Sequence, residues 1–360
     1  MEFTRKSTNI AKGIAICLMF ANHLYTFKDR LLHGNSYIPI IPFFDTESYI
    51  GSFGKICISM FLFLSGYGMF LGYIRSQRNV LSYSINKLKD FYVTYWFYFL
   101  IFIPIGIIFF KHVTFWQSSE IRYSSEPLVF LANFLGLSST YNSEWWFVHI
   151  FVTTTIVVFP IYAKLAQRNI ILLCLLSLSL FLLCLKLNIN RYDDIFGFTF
   201  WQISFALGIV CAQLKFFSSH LIQDFDKHGW ILIFPGLIFC FIFRLRFGGT
   251  FSDFLIVPFF IYFTVRAVSI LNLSTVFSYL GKYSFQLWLI HTFFCYYYFQ
   301  DIIYFPKWSP FIFAFLTGMS ICSVLGIEYL RSFLQFEQLM TACTEKAKKL
   351  WLHLKFTRRQ

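Results

Sequence analysis

The sequence predicts an all-α, polytopic membrane protein of about ten transmembrane helices with both termini on the cytoplasmic side. Three observations carry this reading. Hydrophobic residues make up 58% of the 360 and charged residues only 13%, where soluble domains run near ~25% charged. The mean hydropathy over the whole chain is +0.63. The apolar residues also fall into runs of about 20, the length a hydrocarbon core requires. Aromatic residues reach 22%, with 51 Phe, a composition better suited to a lipid-facing surface than to a soluble core.

The runs are 10–27, 56–74, 91–110, 145–163, 170–187, 196–214, 229–247, 251–270, 284–303 and 310–330. The first follows Arg5 and Lys6 and reads as an uncleaved span, being longer than the core of a signal peptide. Pro104, Pro160, Pro235 and Pro258 fall inside runs; neighbouring helices can satisfy the backbone groups they free. Between the seventh and eighth runs, Arg244, Arg246, Gly248 and Gly249 are expected to form a tight turn. The two long outer loops are 28–55 and 111–144, and the second holds a short apolar stretch from Pro127 to Leu137, interfacial or re-entrant. Residues 1–330 form one membrane-embedded domain, and 331–360 a basic cytoplasmic tail. With Leu350, Trp351, Leu352, Leu354 and Phe356, that tail is suited to lie on an anionic leaflet.

With both termini inside, the inner segments hold about two-thirds of the 30 Lys and Arg, as the positive-inside bias requires. The net charge of +13 sits in short clusters and in the tail, not on one continuous face. Nucleic acid is therefore not an expected partner, whereas membrane lipids are. Nine cysteines occur without a CxxC pair, and most lie inside apolar runs. They read as buried thiols, with no disulfide framework and no metal site.

Polar and ionisable groups at membrane depth are costly, so each is a functional candidate. Lys12 and His23 lie 11 residues apart on the first helix. That is about 16 Å, close to three turns, so both project from one face. Asn22 precedes the histidine. Lys12 alone would read as a snorkelling anchor. Ser65 sits in Leu64-Ser65-Gly66-Tyr67-Gly68, whose small residues also suit close helix packing. Lys87 and Lys89 precede the third run, as phosphate-binding charges or as orientation anchors. Trp145 and Trp146 open the fourth run, as an aromatic belt or a sugar-stacking surface. His291 lies within the ninth run, and Glu328 ends the tenth as a boundary residue or the partner of a buried cation.

Taken in order, these motifs resemble acyltransferase family 3, the integral membrane acyltransferases. Lys12-Gly13 through His23 resembles the family's first-helix signature of a basic residue, Gly and a spaced His. Phe61 to Tyr67 resembles its second-helix pattern, Trp145-Trp146-Phe147 its tryptophan-rich helix start, and Leu280-Gly281 through His291 a later helix. Glu328 falls where the family often ends its last helix. The resemblance covers about residues 5–330. Lys12 replaces the commoner Arg, Trp288 stands where Tyr is frequent, and Lys87 and Lys89 replace Arg. Charge is kept at the lysines, but the bidentate fork is lost.

The resemblance implies an O-acyltransferase of the cell inner membrane, moving an acetyl group from acetyl-CoA to a saccharide or lipid-linked glycan. Acetyl-CoA would be a co-substrate, with no cofactor and no metal. Lys12, Lys87 and Lys89 would bind the donor. His23 would act as base or as acyl carrier, two roles the sequence leaves open. Glu328 or Asn22 would orient it. Asn22, Ser65, Trp145, Trp146 and His291 complete the expected site. A flippase for a lipid-linked saccharide is the main rival, but the inverted repeats such transporters carry are not seen.

Overall fold

The computed structural model describes residues 3–116, 118–192, 195–247, 249–342 and 346. Among them the chain is helical, and the only strand-like pairings are isolated bridges. Helix α1, Arg5–Tyr25, is opened by Thr4, whose side chain accepts from the Ser7 amide. α2, Thr46–Gly54, breaks at Lys55 and leads into α3, Cys57–Ser76. Gln77 takes a left-handed conformation, and Asn79 then caps α4, Val80–Phe109. α5 is the short Pro127–Phe134.

α6, Trp146–Thr153, runs through a π turn, Thr154–Val158, into α7, Phe159–Arg168. Pro160 has no N–H for a regular α turn, and the backbone before it is the part that widens. Asn169 ends α7 and caps α8, Ile170–Lys186. α9 is Phe198–Gln213, α10 His220–His228, α11 Trp230–Arg246, α12 Asp253–Ile270 and α13 Ser274–Lys282. α14, Ser284–Thr292, widens into a second π turn, Phe293–Tyr297, before α15, Gln300–Tyr304, and α16, Ser309–Phe333.

The chain is a multi-pass membrane protein. Among the described residues, five helical segments are long and apolar enough to cross a membrane: Thr46–Ser76, Val80–Phe109, Ser143–Arg168, Asp253–Ile270 and Ser309–Phe333. There are six if α10 and α11, bent by 112° to each other, count as one. All ten apolar runs fall on helices. α8 and α9, at 17 and 16 residues, are apolar but shorter. The basic tail beyond 346, including Leu350 to Phe356, lies outside the described residues.

α1 occupies the centre, buried along almost its whole length from Ile10 to Tyr25. Two crossings admit no side chain. A Cβ on Gly13 would lie 2.0 Å from the Phe277 carbonyl oxygen, and one on Gly281 1.7 Å from that of Asn9, so α1 and α13 meet backbone to backbone. Gly66 of α3 and Gly208 of α9 meet in the same way. Gly68 has open space, so the packing role of the Ser65–Gly68 motif rests on Gly66.

The expected turn at Arg244 begins later. Arg244 and Arg246 form the last turn of α11, and Gly249 supplies the positive φ beyond it. Arg244 stays helical because its guanidinium has a buried partner in Asp253, at 2.6 Å. Arg244 also donates to the Ser52 carbonyl, tying α11 and α12 to α2. The Pro127–Leu137 stretch is α5, and α4 satisfies its terminal carbonyls. Tyr95 donates to Asn133, Trp96 to Phe134 and Tyr92 to Leu135.

Breaking the Arg244–Asp253 pair from one side leaves an uncompensated buried charge, which costs about 3–5 kcal/mol. Asp253→Ala should lower the thermal unfolding midpoint in detergent sharply. The double variant Arg244→Met/Asp253→Leu should recover most of the loss.

Candidate active site

Residues of α1 line a cavity of about 550 Å³, within the ~300–1,000 Å³ range of small-molecule sites. α1 contributes Lys12, Met19, Asn22 and His23, and Phe27 and Arg30 follow in the loop. α3 contributes Cys57, Ile58, Phe61 and Ser65; α6 contributes Trp146, Phe147 and Phe151; α14 contributes Ser284, Phe285 and Trp288. Lys55, Phe91, Ser143, Glu144 and Tyr192 complete the wall. The helical repeat thus brings Lys12 and His23 to one cavity, with a cation towards each end and the imidazole between.

His23 is 7% exposed and engaged through both ring nitrogens. Nε2 lies 3.7 Å from Glu144 Oε2. The other carboxylate oxygen, Oε1, accepts from Arg30 at 2.7 Å. On the opposite edge, Nδ1 lies 3.2 Å from the Tyr296 hydroxyl. Tyr296 has one proton, and it is donated to the His23 carbonyl at 2.7 Å. Its oxygen therefore accepts from Nδ1–H, which fixes the tautomer and leaves a lone pair on Nε2. A proton taken up by Nε2 would meet the Glu144 carboxylate.

Local sequence explains the placement of each partner. Asn142 accepts from the Glu144 amide at 3.1 Å and donates to Thr292 at 2.8 Å, so the turn before α6 is held against α14. The Ser143 amide donates to Tyr297, and the Ser143 hydroxyl accepts from Arg122. Tyr296 and Tyr297 belong to the π turn after α14, which re-aims their side chains.

Of the other predicted residues, Ser65, Asn22 and Trp146 line the cavity. Asn22 also donates to the Gly51 carbonyl at 2.7 Å, joining α1 to α2. Trp145 points the other way, buried, with its indole N–H donating to Leu289. His291 is buried behind His23, with ring centres 5.0 Å apart. Its Nδ1 faces the Leu287 and Trp288 carbonyls.

Glu328 is not brought to His23. It accepts from Tyr98 at 2.9 Å and pairs with Arg331 at 3.5 Å, and it does not line the cavity. Glu144 holds the position beside the imidazole instead. Lys87 and Lys89 are exposed on α4 and do not line the cavity, although the charges of Lys87 and Arg5 act on Lys12. Sequence reasoning did not single out Arg30, Lys55, Glu144 or Tyr296 as site residues. The one available signal was a carboxylate directly preceding an apolar span.

A fixed-tautomer imidazole backed by a carboxylate, in a cavity inside a helical membrane protein, is suited to deprotonating an attacking group, the task of a transferase. The comparison with known families agrees with that class. The chain matches the family described as acyltransferase domain over residues 5–327 and belongs to it; the protein is a membrane acyltransferase. No curated protein and no solved structure matches it.

General-base catalysis contributes about 10²–10⁴-fold, so His23→Ala should reduce acyl transfer by that order while membrane insertion persists. Glu144→Gln keeps the shape but removes the charge. The lost contact is an ion pair at 3.7 Å, too long for a hydrogen bond, so kcat should fall roughly tenfold, about 1.4 kcal/mol. Initial rates in lipid nanodiscs would check both.

Proposed function

We propose that the protein transfers an acetyl group from acetyl-CoA to a hydroxyl of a cell-surface or lipid-linked saccharide. In this reading it sits in the inner, cytoplasmic membrane with about ten spans and both termini inside. The observation that supports it best is the single cavity reaching from Lys12 past His23 to Arg30. With the termini inside, Lys12 is at the cytoplasmic end, where an anionic nucleotide donor is available. The basic group of Arg5, Lys12 and Lys87 suits its phosphates as point charges. The pantetheine arm then carries the thioester towards His23, and the saccharide approaches from the Arg30 end. Phe27, Trp146 and Tyr192 offer flat faces there for a sugar ring.

The acceptor hydroxyl gives its proton to His23 Nε2 as its oxygen attacks the thioester carbonyl carbon. The new C–O bond forms, the C–S bond breaks, and the thiolate recovers the proton from the imidazolium. Glu144 stabilises the imidazolium in between, and Arg30 holds Glu144 in place. A carboxylate beside Nε2 favours a protonated nitrogen there over an acetylated one, which supports the base role over the acyl-carrier role.

The test is to express wild-type and His23→Ala chains in a host lacking this activity and to look for base-labile O-acetyl signals on surface glycans by NMR. Signals with the wild type alone are expected; equal signals from both chains would sink the mechanism. In vitro, Lys12→Gln should raise the KM for acetyl-CoA about tenfold, the loss of roughly one charge-assisted contact. Lys12→Arg should retain most of the affinity.

A further inference from the structure

The charged residues lining the cavity are Lys12, Arg30, Lys55 and Glu144. Glu144 is committed to Arg30 and His23. Lys12 lies at the opposite end from Arg30. Among the described residues, no carboxylate pairs with Lys55. Asp253 feels its charge, but Arg244 holds that carboxylate at 2.6 Å.

Lys55 is partly buried, and its backbone is fixed. It sits in the break between α2 and α3, and the preceding Gly54 is pressed onto α1. A Cβ there would lie 2.2 Å from the Leu18 carbonyl oxygen. The ammonium stands 4.7 Å from the centre of the Tyr192 ring, and the Tyr192 hydroxyl has no partner among the described residues. Trp146 packs edge-on against the same ring. A cation held on an aromatic shelf, beside a hydroxyl with no partner among the described residues, is a half-built anion site.

We infer that the acceptor carries an anionic group, a carboxylate or a phosphate, that docks on Lys55 while its hydroxyl is presented to His23. The inference rests on the acyl-transfer reading and names the class of acceptor within it. The donor cannot supply this anion, because its charges lie on the nucleotide at the Lys12 end and its thioester end is neutral. Arg30 is already paired with Glu144, which leaves Lys55 to meet the acceptor's charge.

The experiment uses the full chain in nanodiscs with radiolabelled acetyl-CoA. Two acceptor pairs separate the sources of charge: glucuronic-acid oligosaccharides against their carboxyl-reduced forms, and glycosyl phosphates against their dephosphorylated forms. Binding is followed in parallel by tryptophan fluorescence. For the wild type, the charged member of at least one pair should have a kcat/KM at least tenfold above its neutral partner. In Lys55→Gln that ratio should fall to near one, through KM, and Lys55→Arg should restore it. Equal rates on charged and neutral acceptors would overturn the inference, as would a ratio that survives Lys55→Gln. A fall in kcat on both members alike would reassign Lys55 to the reaction itself. Charge-selective binding without transfer would preserve the anion site and overturn the proposed acetyl transfer from acetyl-CoA; absence of both binding and transfer would overturn both.

Discussion

The architecture follows from one constraint: α1 carries Lys12, Asn22 and His23 and cannot face lipid. A polar stripe on a spanning helix is tolerated only where protein or a water-filled cavity covers it. α1 is accordingly buried from Ile10 to Tyr25. Gly13 and Gly281 let α13 close over one side of it at backbone contact, and Gly54 lets the α2–α3 junction close over another. What remains uncovered is the strip bearing the polar groups. The cavity is thus the residue of a packing problem: helices seat tightly wherever α1 is small or apolar and stand off where it is charged.

Within that space, electrostatics runs along one chain of contacts. Arg30 fixes one oxygen of Glu144, the other faces His23 Nε2, and Tyr296 holds Nδ1. Each member is useful only through the next. Without Arg30, the Glu144 carboxylate would lose the partner that holds it in place. Without Glu144, a charged imidazole would have no counter-charge. Without Tyr296, the ring could present either nitrogen. Three separate segments supply these groups: the loop after α1, the turn before α6 and the π turn after α14.

That distribution explains what the sequence made legible. The apolar runs, and the pairing of Lys12 with His23, depend only on composition and on the 3.6-residue repeat, which are local properties. Ser65, Asn22 and Trp146 stand out as polar or aromatic residues against apolar spans, and the fold places all three on the cavity wall. Glu144 and Tyr296 meet His23 from positions 121 and 273 residues away along the chain, and no local period encodes such a meeting. Glu328 drew attention as a carboxylate at a span end, yet Glu144 has the same description; only the fold separates them. Trp145 and Trp146 are neighbours in sequence and point to opposite sides of α6, one into the core and one into the cavity.

The uneven charge of the cavity bears on the direction of the reaction. Three of its four charged lining residues are cations, spread over both ends, and its one carboxylate is spent in holding the imidazole. A neutral donor and a neutral acceptor would leave that field uncompensated in a low-dielectric setting. A donor with its phosphates outside Lys12 offsets one end alone. The excess at the other end persists whether or not the donor is bound, so it favours an acceptor that brings its own negative charge. In the proposed reading the anion sits on Lys55 and the donor phosphates at Lys12, two separate places on the cavity wall, so the two ligands would not repel each other strongly. Both can then occupy the cavity at once, which is the condition for direct transfer without an acyl-enzyme.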